Sequence, residues 1–336
     1  MMNSVSHGDL ASSLKNMRLV SQTKQDLERY NYEVASGKKS DLRQATSADF
    51  APLASIERSL RSLSAYENAL TEAELFTSSL QTVLGTVSDQ VSSISTDILT
   101  ASSTSPDHSN IVVAKDARSK LDTVVATLNT RVGGRSLLAG TATGGAALVD
   151  AQTMLDEVTT LASAELDAAG VLSVVDDWFD APGGGFETSG YLGSDTNLSP
   201  FALNEHQKAD LSIKADDESI RDTLKGLVLA ALIDQGIMGG DIDQQNTILQ
   251  KSGETLLAAD AKLTNARAEV GTVEQQISQA KLSNSAESYG LEMAKSKIVS
   301  VDIYDSAAKL TQAQAQLEMI YTITARLSNM KLSDYI

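Results

Sequence analysis

The sequence predicts a mainly α-helical protein: a long hairpin-like helical rod whose two terminal helices pair, with a small mixed or β-rich domain inserted centrally. Three observations lead to this prediction. Apolar residues recur at three- and four-residue steps over long stretches at both ends of the 336-residue chain. Aromatic residues make up only 4% of the chain, which favours helices packed through small side chains. Glycine-rich stretches and a group of aromatic residues interrupt the helical pattern in the middle.

The first 36 residues form the first predicted helix. Gly37 is a suitable C-cap for it, because glycine readily adopts the left-handed conformation that ends many helices. The polar stretch that follows, KKSDLRQATSADFAP, contains Asp49 and Pro52 and is predicted to be a turn. One face of the helix carries apolar residues at coiled-coil spacing, namely Leu10, Leu14, Met17, Val20, Leu27, Tyr30 and Val34.

The last helix is predicted over residues 301–336. Its apolar face consists of Ile303, Ala307, Leu310, Leu317, Ile320, Tyr321 and Leu327. Each terminal helix has an apolar face that is narrow for a globular core but sufficient for a coiled coil. Burying roughly eight such side chains at about 1.5–3 kcal/mol each would offset the ordering of two helices that are marginal alone. We therefore expect the two ends to pair, the alternative being a last helix docked on its own domain.

Between the ends, helices are predicted from Leu53 to about Ala101, from Ile111 to about Thr130, and from about Asp243 to Lys297. The central stretches VLSVV and ADLSIKA are predicted as strands, and LKGLVLAALID as a helix. The predicted organisation is an N-terminal coiled-coil helix (1–45), N-terminal rod helices (46–145), a central insert domain (146–242), a C-terminal rod helix (243–299) and a C-terminal coiled-coil helix (300–336).

Charge and composition exclude several classes of protein. The net charge of −17 opposes binding to nucleic acid or to an anionic membrane surface. The chain contains no cysteine, so neither a disulfide nor a thiolate nucleophile is available. No apolar run approaches the length of a membrane span, and the amino terminus lacks the apolar core of a secretory signal. We expect no membrane insertion, and any export to proceed without a cleaved signal peptide.

No catalytic, metal or cofactor site is predicted. His7, His108 and His206 are scattered and lack a second ligand at metal-binding spacing. The glycine-rich loop at 133–145 lacks the Lys-Ser/Thr pair of a phosphate-binding loop. The sequence therefore predicts a protein that is not an enzyme and has no cofactor.

Several motifs, taken in order, resemble the bacterial flagellin family. EVASGKK at 33–39 resembles the Ser-Gly-basic turn after the family's first helix, and LNTRVGGRSLLAGTAT at 128–143 resembles its exit into the middle domain. GYLGSD at 190–195 is similar to a short element of that domain. LTNARAEVGTVEQQI at 263–277 resembles the return helix, with Arg267 and Gly271 in the expected places. SKIVSVDIYDSAAKLTQAQAQLE at 296–318 resembles the family's most recognisable block. SADFAP departs from the family's usual first turn.

The resemblance covers roughly residues 5–145 and 245–336 and implies a role. The ending LSNMKLSDYI resembles that of the hook–filament junction members of the family rather than that of the filament subunits. This implies a ring of copies between the hook-side junction protein and flagellin. It also implies passage through the flagellar type III export apparatus, with an export chaperone on the last helix. Two other interpretations remain: a filament subunit, and a secreted enzyme or adhesin whose activity lies in the insert.

Overall fold

The chain is mainly α-helical, as the sequence predicts. The computed structural model describes residues 7–45, 49–104 and 107–333, with side chains over 11, 13–43, 49–103 and 109–326. The α-helices are α1 (His7–Ser36), α2 (Leu42–Ala45), α3 (Ala51–Thr104), α4 (Asp107–Leu128), α5 (Ala151–Ala162), α6 (Ala168–Asp180), α7 (Glu218–Asp234), α8 (Ile242–Val299) and α9 (Ile303–Ser333).

Two short antiparallel hairpins and one π-helix complete the fold. Strands β1 (Arg131–Val132) and β2 (Arg135–Ser136) form the first hairpin. The second pairs β3 (Phe201–Ala202) with β4 (Lys208–Ala209), and Phe186–Gly190 form the π-helix. No helix among the described residues is long and apolar enough to cross a membrane.

The predicted small mixed insert is confirmed, but its two predicted strands are wrong. ADLSIKA at 209–215 is extended in β4 only at Ala209, and the remainder forms a loop and the turn before α7. VLSVV at 171–175 lies within α6, where Val171, Val175, Trp178 and Phe179 are buried at helical spacing. The Asp167 side chain begins this helix by accepting a hydrogen bond from the Gly170 amide at 2.8 Å. Capping and a continuous apolar face outweigh the weak preference of valine for strands.

The contacts divide the chain into two compact units. The terminal unit contains the residues up to Leu63 together with those from Ser285 onward, and the central unit runs from Ser64 to Asn284. Helices α3 and α8 contribute residues to both units.

One hydrophobic core fills the central unit, and α7 passes through it. Leu224, Leu227 and Val228 of α7 are fully buried, as are Leu121 of α4 and Leu256 of α8. α7 packs along α4, and its backbone approaches α8 closely at Gly226, whose carbonyl oxygen accepts a 2.6 Å hydrogen bond from the Ser252 hydroxyl. The segment predicted as the insert therefore supplies one of the central helices of this core.

Asn129 holds the chain where α4 ends. Its Oδ1 accepts hydrogen bonds from the amides of Ala147 and Leu148, and its Nδ2 donates to the Leu148 carbonyl oxygen. One side chain thus links the two ends of the segment 129–148, which contains the hairpin of β1 and β2. Because such a side chain satisfies three backbone groups, the motif LNTRVGG has a structural reason to carry asparagine at its second position.

Asp217, at the start of α7, is expected to make the central unit sensitive to pH. Burial raises the pKa of its carboxyl group, and the neighbouring Asp216 and Glu269 act in the same direction, against the amide and the charge of Lys214. A raised folded-state pKa means that the native state binds more protons than the unfolded state. The stabilisation is complete below the unfolded pKa, about 3.9, and is lost as the pH rises through the higher folded value.

Asp217→Asn should therefore melt at a higher temperature than the parent at pH 7, because asparagine retains the acceptor without the buried charge. The difference should shrink as the pH falls below the unfolded pKa. Thermal unfolding of both proteins at several pH values measures this, and a variant that is less stable at pH 7 would contradict it.

Candidate assembly interface

Helices α1 and α9 pack against each other in the terminal unit. On α9 the buried residues Ser306, Ala313 and Ile320 recur every seven positions, which is the spacing of a coiled-coil interface. Among the α1 side chains that the structure describes, the buried ones are Thr23 and Glu33, at 3% and 9% exposure. The pairing is therefore made by small and polar side chains as well as apolar ones.

Most of the predicted interface residues lie partly buried on these two helices. Val20, Leu27, Tyr30 and Val34 of α1, and Ala307, Leu310 and Leu317 of α9, are half-buried, and Ile320 is buried. Leu14, Met17, Ile303 and Tyr321 are exposed. The side chains of Leu10 and Leu327 lie outside the described residues. The part that these residues play in assembly stays a prediction.

The turns that follow α1 and α8 pair with each other. Gly37 ends α1 in the left-handed conformation, with φ of 68°, and its amide donates to the Glu33 carbonyl oxygen. Lys38 and Ser300 then form an antiparallel bridge, in which the Lys39 amide donates to the Val299 carbonyl oxygen and the Val301 amide donates to that of Gly37. Two motifs far apart in the sequence, EVASGKK and SKIVSVDIYDS, thus meet at one place.

Glu33 joins three segments at this place. Its Oε2 accepts a 3.0 Å hydrogen bond from the hydroxyl of Ser306, which is 1% exposed. Its Oε1 accepts from both the amide and the hydroxyl of Ser40, each at 3.3 Å. Hydrogen bonds to a charged acceptor contribute about 1.5–3 kcal/mol each when well formed. Glu33 and Ser306 were not predicted from the sequence, because apolar periodicity does not include polar residues. The seven-residue spacing of Ser306 with Ala313 and Ile320 is the sequence signal that could have identified them.

Asp49 and Pro52 lie at the start of α3. The Asp49 side chain accepts a 2.9 Å hydrogen bond from the Ala51 amide, and Pro52 occupies the first turn, where a missing amide hydrogen costs nothing. Asp49 and Pro52 therefore help α3 to begin where it does. The prediction of a turn over 38–52 is wrong in part, because this stretch contains α2 and Pro52 already lies within α3.

Large apolar side chains remain exposed on the terminal unit. Those on α1 and α9 are Leu14, Met17, Leu19, Tyr32, Ile303, Tyr304, Met319, Tyr321 and Ile323. Tyr304 is 90% exposed and Met319 is 62% exposed. Exposed apolar groups in such number on two helices are typical of a surface that another protein covers.

Charge separates the two units. The central unit, Ser64 to Asn284, contains 13 Lys and Arg against 31 Asp and Glu, a net charge of −18. The remainder of the chain contains 14 basic and 13 acidic residues, a net charge of +1. The terminal unit is thus nearly neutral in net charge, whereas the central unit carries the net negative charge of the protein.

Arg267 and Gly271 of α8 lie against α3 in the central unit. The Gln81 side chain donates a 3.2 Å hydrogen bond to the Arg267 carbonyl oxygen, and the Arg267 guanidinium group packs over Gly85. Gly271 faces the same glutamine. The two residues therefore take part in packing between the long helices.

The aromatic residues of the insert pack together. Trp178 meets Phe179 edge to face at 4.6 Å between ring centroids, and Phe179 stacks on Phe186 at 5.6 Å. All three are buried, so they serve the core. Within the described part of the chain, no three His, Asp or Glu side chains are grouped so that they could hold a metal ion.

The C-terminal part of the chain matches a known protein family. Residues 254–336 match the model of the bacterial flagellin C-terminal helical region. The resemblance to flagellins that the motifs indicated is thereby supported over this part of the chain, and the matched region spans most of α8 together with α9.

Two solved structures share the fold of this chain. One, assigned to a flagellar hook-associated protein from Vibrio parahaemolyticus, is 15% identical with a TM-score of 0.54, over 73% of this chain and 95% of that one. The other, Bacillus cereus FlgL, is 14% identical with a TM-score of 0.50, over 70% of this chain and 96% of that one. No curated protein matches the sequence. At these identities the two structures establish a common fold.

Proposed function

We propose that this protein is a structural subunit of the bacterial flagellum that joins the hook to the filament. Its copies form a ring between the hook-side junction protein and flagellin, and residues 1–45 and 300–336 form the inner tube of that assembly. The subunit reaches the extracellular flagellum through the type III export apparatus, after an export chaperone has covered α9. It acts by self-assembly and has no enzymatic activity.

The observation that carries this proposal is the exposed apolar surface of the paired terminal helices. Glu33, Ser306, Ala313 and Ile320 lie between α1 and α9, while Met17, Tyr304 and Met319 face outward. A lone subunit leaves these outward groups in water, so packing against neighbouring copies would add to stability at about 25 cal/mol per Å² of apolar area buried. The flagellin region and the fold of the hook-associated structures support the same role.

The distribution of charge also supports assembly through the terminal unit. Like-charged surfaces repel within a Debye length, about 8 Å at physiological ionic strength. Close contacts between acidic central units are therefore unfavourable, whereas a terminal unit of net charge +1 can pack without this penalty.

Met319→Asp tests the assembly surface. Because Met319 is exposed in the subunit, the variant should retain the helical content and melting temperature of the parent. It should fail to join isolated hooks, since an uncompensated charge would be buried between copies.

Gln314→Asp is the matched control, because it places the same charge at an exposed polar position of α9. It should join hooks as the parent does. Normal incorporation of the Met319→Asp protein would show that this face is not an assembly surface.

A deletion strain separates the junction subunit from a filament subunit. Loss of a junction subunit should leave hooks without filaments and release monomeric flagellin into the medium. Loss of the filament subunit should instead remove the filament protein itself. Electron microscopy of the cells and gel analysis of the medium distinguish these results.

A further inference from the structure

Between the helices α1 and α9 themselves, the apolar contacts do little to prevent one helix from sliding along the other. Ser306, Ala313 and Ile320 repeat at intervals of seven, so a shift by one heptad would bring Ala313 and Ile320 to the places of Ser306 and Ala313. Ala313 is small, and a shift of seven residues would bring it opposite Glu33. Apolar contacts are not directional, and they therefore specify this register only weakly.

Glu33 distinguishes the observed register from the shifted one. In the observed register its carboxylate accepts hydrogen bonds from Ser306 and from the amide and hydroxyl of Ser40. Opposite Ala313 the same carboxylate, 9% exposed here, would face a methyl group. Ser40 follows α1 in the chain and would remain beside Glu33, but the hydrogen bond from Ser306 would be lost. A buried charge that loses a donor is destabilised, so the shifted register carries a penalty that the observed one does not.

We propose that Glu33, through Ser306 and Ser40, is the residue that sets the register of the terminal helix pair. The backbone bridge between Lys38 and Ser300 follows from that register, because it brings the two turns level with each other. The inference rests on contacts within one chain and is independent of the proposed function. In coiled coils a single buried polar residue often specifies the register, and here the cluster of Glu33, Ser306 and Ser40 would do so.

The absence of cysteine makes disulfide trapping a clean measure of register in the full-length protein. The bridge formed by the Lys39 and Val301 amides makes Lys38 and Ser300 a non-hydrogen-bonded antiparallel pair. Such pairs have Cα atoms about 4.5 Å apart, within the range that a disulfide spans. The K38C/S300C pair therefore reports the observed register. Position 26 lies one heptad before Glu33 and position 313 lies one heptad after Ser306, so positions 26 and 313 face each other in the observed register. After the shift, position 26 would face position 320. The D26C/I320C pair therefore reports the shifted register.

Under mild oxidation, K38C/S300C should cross-link rapidly in the parent and D26C/I320C slowly. Glu33→Ala should slow the first reaction about tenfold, the factor expected for losing one charged hydrogen bond, and speed the second. Ser306→Ala should act in the same direction. Glu33→Gln should fall between the parent and Glu33→Ala, because its one amide oxygen can still accept from Ser306 while the charge and the second acceptor oxygen are lost.

Two results would overturn the proposal. Unchanged rates for both cysteine pairs in Glu33→Ala would show that other contacts set the register. A slower K38C/S300C reaction without a faster D26C/I320C reaction would show that Glu33 only holds the helices together. Circular dichroism of each reduced variant verifies that the helices have formed before oxidation begins.

Discussion

Gly226→Val is expected to destabilise the central unit by about 3 kcal/mol or more, at the upper end of the cost of overpacking a core. Gly226 lies where α7 approaches α8, and a Cβ atom built on it would come within 2.6 Å of Leu256 Cγ and 2.8 Å of its Cδ2. Leu256 is itself fully buried, so it has no free space into which to move. The 2.6 Å hydrogen bond from Ser252 to the Gly226 carbonyl oxygen would be strained as the helices separate.

Calorimetry measures this effect directly. A loss of about 3 kcal/mol corresponds to a fall of roughly 6–12 °C in the melting temperature of a unit of this size. Gly290→Ala is the control, because Gly290 is exposed in α8 and a Cβ atom there meets nothing within 4 Å. It should raise stability by up to about 1 kcal/mol through helix propensity. A Gly226→Val protein that melts like the parent would contradict the close packing of α7 on α8.

Ile320→Asp is expected to separate α1 from α9. Ile320 is 7% exposed in their interface, and an aspartate there would either remain charged and poorly solvated or take up a proton. The cost is several kcal/mol, which is large for two helices that are marginal alone. The far-UV circular dichroism of the variant should show loss of helix, and hydrogen exchange should become fast in α1 and α9 while the amides of α4 and α7 remain protected.

Ile323→Asp is a closely matched control, with the same substitution one helical turn along α9. Ile323 is 48% exposed, so the isolated subunit should keep its paired helices. If the proposed function is correct and Ile323 faces a neighbouring copy, the Ile323→Asp protein should nevertheless fail to join hooks. Slow exchange throughout α1 and α9 in the Ile320→Asp protein would show that Ile320 does not hold the pair.

The helices could be predicted from the sequence because their signals are local. The apolar repeat from Leu53 onward is buried along α3, and Gly37 ends α1 as its position predicts. The sequence-based prediction failed in the insert, where Val171 and Val175 suggest a strand when only neighbouring residues are considered. They are part of a helical face once Trp178 and Phe179 are included. A short window cannot distinguish a buried helix from a strand when both are rich in valine.

The residues that position the candidate interface could be predicted only in part. Ile320 and the half-buried leucines follow from periodicity, because burial of an apolar face needs no particular partner. Glu33 does not, because its place is decided by Ser306, which lies 273 residues away. Similarly, the role of Gly226 depends on Leu256 in another helix.

The helical character of this protein, its amphipathic ends and its resemblance to the flagellins could all be predicted from residue type and from spacing along one helix. The place of α7 in the central core, the pairing of Lys38 with Ser300, and the burial of Glu33 between two helices and a turn became known from the folded chain. Hydrogen bonds and close packing depend on distances between atoms of remote segments, and periodicity along the chain carries no information about those distances.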